Sequence, residues 1–322
     1  MTSPRLTVIV PTYNQAGYLR EALATLCAQT FQDYRLLVVD DASTDDTPSV
    51  LFELCCGERL GPDLVDVVSH PKNLGPAATW TDGLVYADTE YVALCCHDDL
   101  YAPDFLARAV AFLDAHPSCS FTHTAYRIID QDGTYKGQHA AYSGDRVIPG
   151  AEAFQSYLTR SHNVLLSSAV MRRAAILGAL PLPDMLCADF WMWLHLAQHG
   201  DVGYLAAPLV TYRQHGAGIS GSMQPWRWVH ENLSLVLHAA WKAGMKDRLE
   251  AVWQATARVW VRRMVRQAIA ASAHGQRDLA RESLAVASSL SLLPVGALAP
   301  LLCTRLGSLA LRGLRGIRRA MA

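Results

Sequence analysis

Blocks of hydrophobic positions alternate with amphipathic stretches along the first part of the chain. Short runs rich in Val, Leu and Ile are typical of strands buried on both faces. Four such runs come before residue 96: 6–10, 35–39, 64–68 and 91–95. Helical spacing fills the intervals between them, as in 18–29 and 76–87. The resulting β-α-β-α-β-α-β order predicts an α/β fold in which a mostly parallel sheet is flanked by helices.

The pattern changes farther along the chain. After residue 118, strand-like segments alternate with turns that contain glycine. Beyond residue 225 the spacing is helical, and Trp253, Trp260 and Met264 fall on one stripe. We therefore predict an α/β domain over residues 1–222 and a basic helical region over residues 223–322.

Charge divides the chain at the same boundary. Residues 1–222 carry 13 Lys and Arg against 24 Asp and Glu, whereas residues 223–322 carry 15 against 5. An acidic part suits metal binding and a basic part suits an anionic surface. Attraction between the two domains is the alternative explanation. With 51% apolar and 18% charged residues, the chain is expected to fold over most of its length.

Cysteine usage and the N-terminus bear on the cellular compartment. The eight cysteines form no spaced metal or redox motif, so we expect buried, reduced thiols. The N-terminal apolar run is too short for a signal peptide or for the roughly 20 residues of a membrane span. These features predict a cytoplasmic protein, and we expect no nucleic-acid partner.

Polar segments follow each of the four predicted strands. In open α/β sheets, ligands bind beyond the carboxyl ends of the strands. The segments there read PTYN at 11–14, DDASTDDT at 40–47, HPKNLG at 70–75 and HDD at 97–99. Asp98 and Asp99 suit a divalent ion that neutralises a diphosphate, and helix capping is the alternative role. Asp41 suits a hydrogen bond from a base, and the Tyr13 ring suits stacking on it.

These segments together resemble the family 2 inverting glycosyltransferases of the GT-A type. The resemblance rests on VIVPTYNQAGYLREALATLCAQTFQDYRLLVVDDASTDDT, on NLGPAATWTDGLVYADTEYVALCCHDDLYAPDFL, and on CADFWMWLHLAQHG with YRQH. It covers about residues 5–220 and none of the basic region. The resemblance implies that the α/β domain is catalytic and that it moves a hexose, with inversion, from a nucleoside diphosphate sugar to an acceptor hydroxyl. A UDP-sugar is the favoured donor.

The resemblance also implies roles for the donor side of the site. Pro11, Tyr13 and Asp41 are expected to border the nucleoside base, with Asn73 near the ribose or the base. A further implication places Asp98 against the sugar or ribose and makes Asp99 the direct ligand of Mn²⁺ or Mg²⁺. The first acidic position of the motif is His97 in this chain, which is a departure from the family pattern.

Three further residues complete the expected site. Asp189 aligns with the general base of the family, and capping of the following helix is its alternative role, which can hold at the same time. Arg213 and His215 match a segment that covers the diphosphate. Arg213 is expected to offset the phosphate charge, and His215 to complete the metal shell or to donate to the leaving phosphate. A purely structural histidine is the alternative.

Two other functions compete with glycosyl transfer. A catalytically inactive nucleotide-sugar-binding protein would not need Asp41, Asp98, Asp99 and Asp189 together. A sugar nucleotidyltransferase would need a Gly-rich triphosphate loop, which PTYNQAG lacks. Arg outnumbers Lys by 24 to 4, which fits a GC-rich bacterial genome. We therefore expect a glycan or lipid-linked glycan acceptor in surface polysaccharide or glycolipid assembly.

The end of the chain predicts contact with a membrane. On a helical projection, arginines fall on one side: Arg305, Arg312, Arg315 and Arg319. Apolar residues fall on the other: Leu306, Ala310, Leu314, Ile317 and Met321. Such a basic amphipathic helix suits an anionic membrane surface, whereas packing on the catalytic domain is the alternative. We thus expect peripheral attachment at the inner face of the cell membrane.

Overall fold

The computed structural model describes residues 4–56, 65–160, 164–218 and 224–292. Over these residues the chain forms ten strands and ten α-helices. The strands are β1 Leu6–Thr12, β2 Tyr34–Asp40, β3 Val65–Ser69, β4 Tyr91–Leu94, β5 Leu100–Tyr101, β6 Cys119–Asp130, β7 Tyr135–His139, β8 Arg146–Ile148, β9 Ala169–Arg172 and β10 Asp201–Gln214. The helices are α1 Ala16–Leu26, α2 Thr47–Cys56, α3 Pro76–Tyr86, α4 Phe105–Ala115, α5 Gly150–Arg160, α6 Arg173–Ile176, α7 Ala188–His199, α8 Pro225–Lys242, α9 Leu249–Ala273 and α10 Arg277–Leu292.

The chain divides into two compact units, each built from several segments. The first consists of Met1–Ala153, Val164–Leu182 and His195–Gly221. The second consists of Phe154–Asn163, Pro183–Leu194 and Ser222–Ala322. Two segments that precede residue 222 belong to the second unit, whereas the sequence predicts a single boundary after Ser222. That boundary stays a prediction.

The first unit holds a single sheet in the order β3-β2-β1-β4-β9-β6-β10-β5, with β7 added to β6 and β8 added to β10. The four N-terminal strands run parallel, as the alternating pattern predicts. Strand β9 is antiparallel to both β4 and β6, and β6 is parallel to β10. The sheet is therefore mixed, and its parallel part brings the carboxyl ends of β1, β2 and β4 to one edge.

Burial explains why the N-terminal strands read as continuous hydrophobic runs. Every residue of β1 is buried, and helices cover both faces of the sheet there. Helix α1 buries Leu19, Leu23 and Leu26. Helix α3 approaches the sheet at Gly83, where an added Cβ would lie 2.5 Å from Cγ2 of Ile9. These contacts hold the strand ends, and the loops that follow them, in fixed positions.

Helices make up most of the described part of the second unit. Helices α8, α9 and α10 enclose a core that includes the predicted stripe of Trp253, Trp260 and Met264. Among the described helices, none is both long and apolar enough to cross a membrane. The predicted amphipathic helix over 305–321 lies outside the described residues.

Candidate functional site

The loops that follow β1 and β2 hold each other by hydrogen bonds. The backbone N of Asn14 donates to Oγ of Ser43 at 2.8 Å, and Oδ1 of Asn14 accepts from the backbone N of Thr44 at 2.8 Å. Asn14 has a φ of 57°, a left-handed conformation that asparagine tolerates better than most residues. Oδ2 of Asp45 accepts from the backbone N of Ala16 at the start of α1. Within this braced loop Tyr13 is 43% exposed, which leaves its ring accessible for stacking.

Asp41 holds the loop that carries Asn73. Its carboxylate accepts hydrogen bonds from the backbone N atoms of Leu74 and Gly75, each at 2.8 Å. Nδ1 of His70 lies 2.8 Å from the same carboxylate. Asp41 is buried, whereas Asn73 is exposed on the loop. His70, which contacts the carboxylate of Asp41, was not identified from the sequence. Its place in the HPKNLG segment was the only signal.

The acidic pair lies just beyond β4. Asp99 is 1% exposed, and its Oδ2 accepts from Oγ of Ser167 at 2.5 Å. Burial raises the pKa of the Asp99 carboxyl well above its usual range, and the charge of Asp98 adds to this effect. One ligand atom from each of Cys96, Asp98 and Asp99 lies within 4.8 Å of the others. A buried carboxylate beside a second one is stabilised by a cation, so these residues fit a divalent metal ion.

The donor set indicates the kind of ion. Two carboxylates suit Mg²⁺ or Mn²⁺, and a neighbouring sulfur is a softer ligand. Sequence reasoning did not single out Cys96 as a ligand. Its position two residues before Asp98, in an apolar segment that leads into the pair, was the only available signal.

His97 does not join this cluster. Its Nδ1 donates to the carbonyl oxygen of Pro11 at 3.0 Å, which ties the turn after β4 to the end of β1. Nε2 of His97 is buried and has no hydrogen-bond partner among the described residues. The histidine at the first motif position therefore braces Pro11, next to the region predicted for the nucleoside base.

Arg213 at the end of β10 and His215 just beyond it contact the acidic pair. Nε2 of His215 lies 2.9 Å from Oδ2 of Asp98. The backbone N of Arg213 donates to Oδ1 of Asp99 at 2.9 Å. The structure thus brings Arg213, His215, Asp98 and Asp99 together. His215 lies outside the close three-residue cluster and contacts it through Asp98.

Asp189 belongs to the second unit. It is the second residue of α7, and its Oδ1 accepts from the backbone N of Phe190 at 2.8 Å. Glu231 of α8 fixes the turn before it by accepting from the backbone N atoms of Leu186 and Cys187 at 2.8 and 3.2 Å. Sequence reasoning missed Glu231 because nothing local links α8 to that turn. The helix N-terminus favours the negative charge of Asp189.

The mixed sheet, with its acidic pair beyond β4, defines a GT-A type of fold, and solved structures share it. One is S. aureus TarS 1-349 in complex with UDP-GlcNAc, at 18% identity over 87% of this chain and 90% of that chain, with a TM-score of 0.60. Another is the mannosyltransferase PcManGT from Pyrobaculum calidifontis in complex with GDP-Man and Mn²⁺. The sequence of PcManGT is 21% identical to this one over 100% of this chain and 81% of that chain, with a TM-score of 0.54.

The family model for glycosyl transferase family 2 matches residues 7–177, just over half of the chain. The chain therefore belongs to glycosyl transferase family 2. An uncharacterized protein of Mycobacterium tuberculosis is 29% identical over 66% of this chain, which spans 60% of that relative's length. A Bacillus subtilis protein named as a candidate teichuronic acid biosynthesis glycosyltransferase, TuaG, is 25% identical over 76% of this chain and 85% of its own length.

Proposed function

We propose that the chain transfers a hexose, with inversion, from a nucleoside diphosphate sugar to an acceptor hydroxyl. The observation that carries the proposal is the buried Asp99 beside Asp98, at the sheet edge where β1 and β2 also end. A diphosphate needs positive charge near it, and a sugar needs polar groups that read its hydroxyls. Paired carboxylates can bind a metal ion that faces the diphosphate, and their oxygens can accept hydrogen bonds from the sugar hydroxyls.

The end of β1 and the loops after β1, β2 and β3 form the proposed nucleoside side of the site. Pro11 and Tyr13 border the base, and Asn73 contacts the base or the ribose. Asp41 contributes by holding the loop of Asn73 through the backbone of residues 74 and 75. TarS binds UDP-GlcNAc and PcManGT binds GDP-Man, and a UDP-sugar is our proposed donor for this chain.

Asp99 and Asp98 would hold the proposed Mn²⁺ or Mg²⁺, with Cys96 and His215 next to them. When bound, the ion supplies positive charge opposite the diphosphate leaving group. The PcManGT structure is a complex with GDP-Man and Mn²⁺, which supports the choice of ion. We also assign Asp98 a hydrogen bond from the sugar or ribose, and its partly exposed side chain supports this role.

Asp189 is the proposed general base. Inversion in a single displacement requires a carboxylate that removes the proton of the acceptor hydroxyl as the glycosidic bond forms. The carboxylate stands at a helix N-terminus, with its turn fixed by Glu231. A fixed position is what a base needs in order to meet a hydroxyl at hydrogen-bond distance.

The proposed acceptor is a glycan or a lipid-linked glycan of bacterial surface polysaccharide or glycolipid assembly. The similarity to TuaG, which is named for teichuronic acid biosynthesis, supports this assignment. The basic end of the chain supports a place at the cytoplasmic membrane face, where a lipid-linked acceptor would be met.

A thermal-shift screen tests the function. UDP, GDP, UDP-GlcNAc and GDP-Man are each added to the protein with and without Mn²⁺. A ligand at 100 times its dissociation constant stabilises the folded state by about 2.7 kcal/mol, which corresponds to a rise of roughly 5 °C in the unfolding midpoint. We expect this rise with uridine ligands and Mn²⁺, and its loss in Asp99→Asn.

A turnover assay then separates an enzyme from an inactive binding protein. It measures the release of UDP from the donor sugar in the presence of acceptor glycans.

The matched control of the thermal-shift screen is Asp104→Asn, an exposed change at the start of α4, which should retain the full midpoint shift. The proposal is wrong if no nucleotide or nucleotide sugar shifts the midpoint under any metal condition.

A further inference from the structure

The guanidinium of Arg213 is buried against the turn that carries the acidic pair. Its side chain is 4% exposed. Nε donates to the carbonyl oxygen of Asp98 at 3.1 Å, and Nη2 donates to Oε2 of Glu21 at 2.6 Å. Its Cζ lies 4.7 Å from the centroid of the Tyr18 ring. A buried charge is costly unless it is paired, and these three contacts pair it within the protein.

Arg213 holds both members of the acidic pair. Its side chain binds the main chain of Asp98, and its backbone N binds the carboxylate of Asp99 at 2.9 Å. His215 lies two residues farther on and contacts the carboxylate of Asp98 at 2.9 Å. Residues two apart in extended chain point to the same side, so the end of β10 presents both side chains to one turn.

Helix α1 supports this arrangement from the other side. Tyr18 and Glu21 are three residues apart, which places them on the same face of the helix. The Tyr18 ring lies against Arg213 and also 4.9 Å from the ring of His215. Glu21 is half-exposed and orients the buried guanidinium. An arginine that binds phosphate uses its fork for paired oxygens, and here two nitrogens of that fork already donate to protein acceptors.

We propose that Arg213, oriented by Glu21, is a positioning residue that shapes the turn of Asp98 and Asp99 for cation binding and does not contact the diphosphate. The proposal rests on the proposed function, because it takes Asp98 and Asp99 as the metal position. It assigns a role to Glu21 as well, a residue on α1 for which the sequence motifs indicate none.

The test compares Glu21→Gln and Arg213→Lys with the unmodified chain. The affinity for Mn²⁺ alone is measured from the free-ion electron paramagnetic resonance signal, and the affinity for UDP is measured by calorimetry. A misplaced turn weakens Mn²⁺ binding before any nucleotide is present, by roughly three- to tenfold in Glu21→Gln and more in Arg213→Lys. Glu53→Gln is the matched control, because Glu53 on α2 is as exposed as Glu21 and pairs with Arg20, a neighbour of Glu21 on α1.

The rival role gives the opposite sign. If Arg213 contacts the diphosphate, removing the charge of Glu21 frees the guanidinium, so the affinity for UDP rises while the affinity for Mn²⁺ alone stays unchanged. That result overturns the proposal, as does unchanged Mn²⁺ binding in both variants. Glu21 is exposed, so its variant should fold, and circular dichroism checks this. An unmodified chain that binds UDP but no Mn²⁺ overturns the positioning role and metal dependence, and leaves donor binding standing.

Discussion

Asp99 illustrates what a buried acid requires from its neighbours. A carboxylate that is almost fully buried loses the solvation of its charge, which is why its pKa is raised. A hydroxyl from Ser167 and a backbone N–H from Arg213 return part of that solvation. The remaining demand is for positive charge, which a divalent ion would supply.

Asp189 offers a prediction at the same scale. In Asp189→Asn we expect donor binding to persist and turnover to fall by roughly 10²- to 10⁴-fold, because a base is lost. The side-chain oxygen of Asn can still accept from the backbone N of Phe190, so the substitution removes the base and keeps that hydrogen bond. Calorimetry and steady-state kinetics on one preparation measure the two effects. Asp184→Asn, an exposed change in the preceding loop, is the control. Donor affinity and turnover falling together would instead indicate a structural role.

At the scale of elements, the close packing of α3 on β1 depends on one glycine. A Cβ at Gly83 would lie 2.5 Å from Cγ2 of Ile9, which is fully buried and whose β-branched side chain is stiff at χ1. The same helix begins at Pro76, directly after the loop that Asp41 holds. A shift of α3 would therefore disturb the proposed nucleoside side of the site.

We predict that Gly83→Ala and Gly17→Ala change stability in opposite directions. Overpacking at Gly83 should lower the free energy of unfolding by about 1–3 kcal/mol. Gly17 lies in α1 with nothing within 4 Å of an added Cβ, so alanine should raise stability by about 0.5 kcal/mol through helix propensity. Urea denaturation measures both. Equal stability of Gly83→Ala and the unmodified chain would contradict the packing argument.

At the scale of the whole molecule, charge asymmetry leads to the membrane prediction. The 322-residue chain should co-sediment with liposomes that contain anionic lipid, and a chain that ends at Leu292 should not. Each arginine near such a surface contributes about 1 kcal/mol. The cut is placed after α10 because Ala287 and Leu290 pack in the core of the second unit. Neutral liposomes are the control. Equal soluble fractions for the two chains would exclude the segment beyond Leu292 as an anchor.

The sequence by itself determined the parallel half of the fold and most of the candidate residues. The run at 6–10 lies within β1 and the run at 35–39 lies within β2, because buried strands carry a local hydrophobic signal. The sequence also placed Asp41, Asp98 and Asp99 at one edge of the sheet, because each of them follows a strand of the parallel part. Parallel neighbouring strands must end on the same side of a sheet.

Tertiary structure alone decided how distant residues meet. The sequence did not indicate that β9 inserts antiparallel between β4 and β6, that Glu21 pairs with Arg213, or that Glu231 holds the turn before Asp189. These partners are separated by tens to nearly two hundred positions, and each contact depends on which strand pairs with which. Hydrophobic periodicity reports the burial of a segment and says nothing about its neighbours, so register and long-range pairing follow only from the packed chain.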